Sequence, residues 1–499
     1  MVRQGIQCAR ARAISLAVFA VLALSGCAST ADSSCSGSDA YPVPANLCHA
    51  LVSEEAPVIE DSSTEQGPMK RAPASSRAGK KIGSRLTVSE LVRQLIRTNP
   101  DVGIAAAREK EQQAAIDGAR ATLLPSLEVT GSAGPQRNWT SSPSGDAVRR
   151  EFGVSFRQNL FDFGAGQNSV DRATLAYDSA RSSRIGKTEQ TTFDMLDTLM
   201  KVQQIDESIR LAKRNIEAHQ AILRQVQSSE TNGNSTVSDV KRVTTRLESA
   251  KTNLIDLSTE RTNAADAFRR LTDVEVDKVS DNVTRRFAGR SIASAPAAAS
   301  AALERNPDIV SLHQEIAALR AQLASVEAGF MPNVGLESSF KIGRQMNEPG
   351  DADRRMVANV LVSVRMPILD GGANQSTQRQ VLARIEAAQL RLDKRRRELV
   401  EDARGVARIT SSDSDKSSSL ATRVAAARQV QELSFAQFKE GGRTVFELLD
   451  SQVDLVKAET DLITQTYSRR RSQIRMALLK GVLVQELLAA GDKANKPRA

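Results

Sequence analysis

Few residues of this 499-residue chain have the type and spacing that covalent chemistry needs. There are three histidines, His49, His219 and His313, and no two share a metal-ligand spacing. The four cysteines, Cys8, Cys27, Cys35 and Cys48, all fall within the first fifty residues. Cys35 and Cys48 are open to pairing in an oxidising compartment or to remaining two thiols. Gly186-Lys187-Thr188 imitates the end of a phosphate-binding loop, but Arg181 stands where that loop needs its first glycine, and the segment reads as helix. No enzyme, cofactor or metal site is therefore expected. The pair that stands out is Glu447 and Asp450, three apart and so on one helix face. Carboxylates gathered in a pore select cations, and crowding raises carboxyl pKa values. The plainer alternative is a solvated helix start, where acids are favoured anyway.

Those acids need long helices to hold them. Aromatic residues make up only 3% of the chain, against 40% hydrophobic overall, so its core must rely on Ala, Leu, Ile and Val. The net charge of +9 comes from acids and bases interleaved along helix faces, which argues against a nucleic-acid patch. No proline lies between Pro143 and Pro296, or between Pro367 and Pro497, leaving both stretches free to be helical. Met195, Leu199, Val202, Ile205, Ile209, Ala212, Ile216, His219, Leu223 and Val226 keep the spacing of a coiled-coil seam. After a turn, Val240, Val243, Leu247, Ala250, Leu254, Leu257, Ala264, Phe268 and Leu271 do the same. A helix from Gly164 to about Asn232 would be about 100 Å long at roughly 1.5 Å per residue.

The N-terminus carries Arg3, Arg10 and Arg12, then a short apolar run from Ile14 to Leu24, the pattern of a cleaved export signal over 1–26. Leu24-Ser25-Gly26-Cys27 resembles a bacterial lipobox, which would acylate Cys27; ordinary cleavage nearby is the alternative. Residues 27–83 are rich in Ser, Pro, Gly and Ala and read as a tether. No later segment is long and apolar enough to span a bilayer as a helix, so a membrane crossing must use strands in a closed barrel. Candidate strands alternate as required. Val334, Leu336, Phe340 and Ile342 interleave with Gly335, Glu337, Ser339 and Lys341; Phe152, Val154 and Phe156 with Gly153, Ser155 and Arg157. Val360, Val362 and Val364 interleave with Leu361, Ser363 and Arg365, one imperfect register. This is the pattern of lipid outside and water inside, and a half-buried soluble sheet shows the same period. Four strands cannot close a barrel, so the barrel reading requires an oligomer.

The chain is duplicated. Asn99-Pro100-Asp101 recurs as Asn306-Pro307-Asp308, and Leu124-Pro125-Ser126-Leu127 as Met331-Pro332-Asn333-Val334, both 207 residues on. Phe161-Asp162-Phe163-Gly164-Ala165 recurs as Leu369-Asp370-Gly371-Gly372-Ala373, and Gly233-Asn234 as Gly441-Gly442, now 208 on. Two copies of a helix, strand, strand, long helix, long helix unit are predicted over 84–271 and 291–479, with a connector over 272–290 and a basic tail over 480–499. Pro125 and Pro332 suit helix-to-strand junctions. Asp162 and Asp370 can cap the following helix, with Gly164, Gly371 and Gly372 turning the chain into it.

The paired landmarks resemble the TolC family of outer-membrane efflux and secretion proteins, over about 84–479. The resemblance implies a mainly α chain with a small β part, assembled as a homotrimer whose twelve-stranded barrel continues into an α-helical coiled-coil tunnel. It implies a passive exit duct for type I secretion or multidrug efflux, embedded in outer-membrane lipid, docked to a periplasmic adaptor and an inner-membrane ABC or proton-driven transporter, without nucleic acid. It places Glu447 and Asp450 at a periplasmic gate, where the trimer makes them two stacked rings of three carboxylates. Arg443 matches a basic residue that latches the closed gate, with Ser238 and Asp239 in the partner turn, so an Arg443 to Asp239 contact is expected. Phe438 stands where some members carry a latching Tyr. A soluble periplasmic coiled-coil adaptor or structural protein is the competing reading. It shares the heptads and the signal but needs no strands.

Overall fold

A computed structural model describes residues 86–137, 146–279, 295–346 and 352–494. The expected signal, Cys27, the tether with Cys35 and Cys48, and part of the connector lie outside the described residues. Each half of the chain has the same element order. The first comprises α1 (Val88–Thr98), α2 (Pro100–Ala121), β1 (Ser126–Arg137), β2 (Asp146–Phe161), α3 (Ala165–Thr231) and α4 (Val237–Thr272). The second comprises α5 (Ala295–Arg305), α6 (Pro307–Ala328), β3 (Asn333–Met346), β4 (Ala352–Arg365), α7 (Ala373–Lys439) and α8 (Val445–Leu479). The two longest helices, α3 and α7, are 67 residues each, so the expected rod is present twice at equal length. Among the described residues no helix is long and apolar enough to cross a membrane.

The expected single helix before each strand pair is in fact two, because the residue preceding a proline is pushed to extended backbone. Asn99 and Asn306 both have ψ of 124°. Each accepts a hydrogen bond at Oδ1 from the backbone N–H two residues on, capping the helix that opens with the proline. Each also donates from Nδ2 to the last turn of a distant helix, Asn99 to Leu271 O and Asn306 to Leu479 O, both at 3.0 Å. The Asn-Pro landmark thus ties each short helix pair to the end of its own repeat.

Part of the stretch expected as a basic tail over 480–499 is helical. Residues Leu483–Ala494 form a helix, α9, with Leu483 and Leu487 buried in the largest core cluster beside Leu91, Leu95, Leu196, Leu199 and Phe268. Its apolar residues satisfy a groove between α1, α3 and α8 that the basic count alone hides. The buried carboxylate of Glu189, on α3, accepts from the Val484 N–H at the start of α9. At the start of the connector, Val274 and Val279 are buried and Val279 bridges to Leu86.

All four strands form one antiparallel sheet in the order β1-β2-β3-β4, with β2 and β3 joining the repeats. The register puts Leu127, Val129, Phe152, Val154, Phe156, Phe340, Ile342, Met356, Val360, Val362 and Val364 on one face. Glu128, Glu151, Arg157, Glu337, Ser339 and Lys341 lie on the other. The imperfect register of β4 is real: Val357 and Leu361 sit on the polar face. The apolar face is uncovered in a single chain, with Val360 72% and Leu127 70% exposed, and β1 and β4 each leave an edge unpaired.

Candidate functional site

The two turns that join the long helices are built identically, which follows from residues repeated 208 positions apart. Gly233 and Gly441 take φ of 76° and 78°, a left-handed conformation that glycine adopts without strain. The next amide reaches back to close the helix, Asn234 N–H to Ser229 O and Gly442 N–H to Gln437 O, both at 2.8 Å. Thr236 and Thr444 then start α4 and α8 with reciprocal capping boxes. Asp239 Oδ2 accepts from Thr236 N–H at 3.1 Å, and Glu447 Oε2 accepts from Thr444 N–H at 3.0 Å.

Beneath the turns lies a compact apolar plug. Phe438 is buried with Ile222, Val226, Val243, Val445, Leu448 and Leu449, so both helix pairs are locked together at their tips. A tyrosine hydroxyl at 438 would have to enter this cluster, which gives the phenylalanine a packing role of its own. Glu447, Asp450 and Ser238 are exposed. Arg443 donates from Nη1 to the buried hydroxyl of Ser434 at 3.0 Å, while Asp239 is engaged by Thr236. Within one chain these bonds replace the expected Arg443 to Asp239 contact. The Arg242 guanidinium lies 5.9 Å from the ring centre of Phe446, linking the two turns across the tip.

The crowding expected to raise the carboxyl pKa arises only between copies; within one chain the local surroundings of Glu447 act the other way. Hydrogen bonds from the Thr444 backbone and hydroxyl hold the Glu447 carboxyl below its usual range, with a smaller contribution from Arg443. Exposure leaves little desolvation to oppose them. Glu447 is therefore both a helix cap and a fixed negative charge.

The helix-to-strand and strand-to-helix junctions are built alike in the two repeats. Pro125 and Pro332 each sit one residue ahead of a strand, after a helix has ended. Asp162 accepts from Gly164 N–H at 3.0 Å and Gly166 N–H at 2.8 Å; Asp370 accepts from Gly372 N–H and Asn374 N–H, both at 2.9 Å. Gly164, Gly371 and Gly372 all have positive φ. Phe163, the counterpart of Gly371, has φ of 53° and stacks edge-on against Phe161 with centroids 4.7 Å apart.

The remaining chemistry-capable residues are structural. His219 is buried on the α3 seam with Nδ1 2.9 Å from Asn215 O, and burial lowers its pKa. His313 packs beside Arg396. Lys187 lies within α3 and pairs with Asp101 at 2.9 Å, outside any phosphate loop. A cavity of about 480 Å³ between α3, α6, α7 and α8 contains Arg395 and Arg475, but these pair with Asp308 and Asp402. No cluster able to hold a metal occurs among the described residues. The sequence reading missed the distant bonds of Asn99 and Asn306 and the buried Glu189. Asn before Pro signals a cap, but nothing local signals its second partner.

The family model of the outer membrane efflux protein matches residues 91–273 and 298–482, two segments that coincide with the two repeats. The chain is 22% identical over 414 residues to the outer membrane protein TolC of Vibrio cholerae, covering 80% of this chain and 91% of that protein. It is 24% identical over 391 residues to the alkaline protease secretion protein AprF of Pseudomonas aeruginosa, covering 74% and 80%. Its fold matches the MtrE outer membrane channel of Neisseria gonorrhoeae with a TM-score of 0.67, at 16% identity, over 85% of this chain and 98% of that one. With its duplicated rods, its four-stranded sheet and a family match spanning both repeats, the chain belongs to the outer membrane efflux protein family and is an export channel of the outer membrane.

Proposed function

We propose that three copies of this chain form the exit duct of a tripartite export system, gated at the tips of α3, α4, α7 and α8. The observation that carries the reading is the sheet: four amphipathic strands with two open edges and an uncovered apolar face. Pairing β4 of one copy with β1 of the next removes every edge and turns the apolar face to lipid, giving twelve strands. The 67-residue helices then extend as a periplasmic tunnel about 100 Å long at roughly 1.5 Å per residue. The duct is passive and carries no catalysis; the driving energy comes from an inner-membrane ABC or proton-driven transporter reached through a periplasmic adaptor. Acylation of Cys27 adds an anchor in the inner leaflet.

At the gate, Glu447 and Asp450 supply two rings of three carboxylates, and Arg443 with Ser238 and Asp239 of the neighbouring turn contributes to closure. The capping hydrogen bonds lower the Glu447 carboxyl pKa within each chain, which favours a negatively charged ring. Planar-bilayer recording tests this. Replacing Glu447 and Asp450 together by Ala is expected to reduce cation preference and to weaken block by multivalent cations applied to the periplasmic side. Selectivity and block matching the parent channel would refute the ring assignment. Because the substitution Glu447→Ala also removes a cap, Glu447→Gln with Asp450→Asn is the control that keeps the turn's hydrogen bonds.

A further inference from the structure

β2 leaves regular strand geometry where it meets α3. Up to Asn159 its residues alternate between faces, with Phe152, Val154 and Phe156 on the apolar side. A bulge then inserts one residue, so that Phe161 rather than Leu160 pairs with Val334. A bulge of this kind re-aims the side chain that follows it. Directly opposed residues in an antiparallel ladder share a face, so Phe161 joins Val334 and Val364 in the last row of the apolar side. Two residues on, Phe163 has φ of 53° and stacks edge-on against Phe161. Left-handed backbone is uncommon for a bulky side chain. Gly371 makes the same turn in the second repeat with φ of 64°, so the turn itself needs no aromatic ring. Strain kept in one repeat and relieved by glycine in the other points to a role for the ring. That role is not core packing, since Phe161 is 55% and Phe163 48% exposed.

The place of the pair in the sheet decides what can cover it. β2 is an inner strand, flanked by β1 and β3 of its own chain, so closing a barrel through β4 and β1 leaves this row uncovered. Ile368 and Leu369, 92% and 91% exposed, follow the edge strand β4 instead, where the next copy joins. On β3 the apolar rows run from Val334 to Ile342, eight residues further on. At about 3.4 Å per residue and a tilt of about 40°, they span roughly 20 Å along the membrane normal. An outer-membrane barrel carries an apolar band about 25 Å tall, flanked by aromatic girdles. The pair therefore falls at the periplasmic edge of the band, where β2 hands over to α3.

We propose that Phe161 and Phe163 form an anchor in the inner leaflet of the outer membrane, their rings lodged among phospholipid acyl chains just beneath the headgroups. Phenylalanine offers no polar atom to a headgroup, and the pair continues an exposed apolar surface that includes Leu127 and Val364, so acyl chain is the occupant that fits. One pair per chain, repeated around the barrel, fixes how deep the strands sit in the bilayer. The inference rests on the reading of the sheet's apolar face as lipid-facing.

The test uses the full chain with Trp139 replaced by Phe, so that an introduced tryptophan is the only one. Phe163→Trp, Phe161→Trp and Phe156→Trp are each reconstituted in phosphatidylcholine vesicles brominated either near the headgroup or near the chain end. Phe156 pairs with Ser338, midway along the apolar rows and roughly 10 Å from the Phe161 row by the same strand geometry. Fluorescence at positions 161 and 163 is expected to be quenched more by the shallow bromines, and at position 156 more by the deep ones. The depths read at 156 and 161 should differ by roughly 10 Å. Phe161 lies in strand backbone, so its variant carries the test if Phe163→Trp misfolds. Quenching at 161 and 163 by aqueous acrylamide but by neither lipid would overturn the proposal. So would quenching by neither lipid nor acrylamide, the sign of burial against another copy. If position 156 also escapes both lipids, the lipid-facing reading fails and this inference with it. If position 156 alone is quenched by lipid, only the anchor fails.

Discussion

Replacing Asn306 by Ala removes two things at once, and the structure allows each to be sized. The cap to Asp308 N–H, at 3.0 Å, is of a kind whose loss costs about 1 kcal/mol. The bond from Nδ2 to Leu479 O, also 3.0 Å, is buried, and an orphaned buried carbonyl costs about 1–3 kcal/mol. Together they destabilise the junction of α5, α6 and α8 by roughly 2–4 kcal/mol. The loss is local, so hydrogen exchange is the right assay. Amides of peptides spanning residues 302–312 should exchange about 30- to 1000-fold faster in the variant, since about 1.4 kcal/mol is a factor of ten in an opening equilibrium. Asn306→Asp keeps the acceptor and loses the donor, so its effect should come from the Leu479 side alone. The corresponding variant Asn99→Ala should loosen the start of α2 similarly, because Asn99 caps Asp101 and donates to Leu271 O. Exchange within threefold of the parent for Asn306→Ala would refute the claim that this asparagine joins the repeat's ends.

Two further perturbations follow from buried groups on the same interface. Burial raises the Glu189 pKa from 4.5 to about 8, opposed by hydrogen bonds from Val484 and Leu483 N–H and reinforced by Glu486. A carboxyl whose folded pKa exceeds its unfolded one contributes stability that is complete below about pH 4.5 and lost as pH rises through about 8. The docking of α9 should therefore weaken from about pH 5 to about pH 8 and level off above, seen as faster exchange of peptides over 481–489 after correction for intrinsic rates. Glu189→Gln should abolish that dependence; an unchanged pH profile in this variant would disprove the assignment. Gly481→Ala and Gly372→Ala both place a side chain at positive φ, but their surroundings differ. At Gly481 the new Cβ would meet Pro307 Cδ at 2.6 Å and Arg305 O at 2.9 Å, whereas at Gly372 nothing lies within 4 Å. Gly372→Ala should cost about 1–2 kcal/mol of backbone strain and Gly481→Ala clearly more. Thermal unfolding in detergent that ranks them the other way would count against the packing argument.

Much of the fold was legible because duplication turns weak local signals into paired ones. A lone Asp-x-Gly or Asn-Pro is uninformative, but the same landmarks in the same order 207 or 208 residues on define two units. The heptad seams were legible for the reason helices generally are. Met195, Leu199, Val202 and Val226 are buried where the spacing places them. What escaped were contacts between residues far apart in sequence. The Asn306 to Leu479 bond joins residues 173 apart, and the Glu189 carboxylate meets Val484 at a separation of 295. No local pattern encodes either. The capping box that Thr444-x-x-Glu447 spells out was legible locally, and its hydrogen bonds lower the Glu447 carboxyl pKa within one chain, the opposite direction to the crowding expected between copies.

The two helical turns show which residues are free for function. Positions shared by both repeats are those the turn needs: the left-handed glycines Gly233 and Gly441, the caps Thr236 and Thr444, and the acids Asp239 and Glu447 that complete the boxes. Glu447 is thus accounted for by folding before any gate is invoked. The positions that differ tell more. Asp450 stands where the first repeat has Arg242, Arg443 where it has Ser235, and Phe446 where it has Ser238. None of these is required to form the turn, since the other repeat turns without it. The charge reversal between Asp450 and Arg242 makes the two turns electrostatically inequivalent on an otherwise common scaffold. Unlike Asp239 and Glu447, Asp450 is therefore an acid whose presence the capping of the turn does not explain. If a single substitution is to separate gating from stability, Asp450→Asn is that substitution: channel selectivity should change while exchange at the capping amides does not.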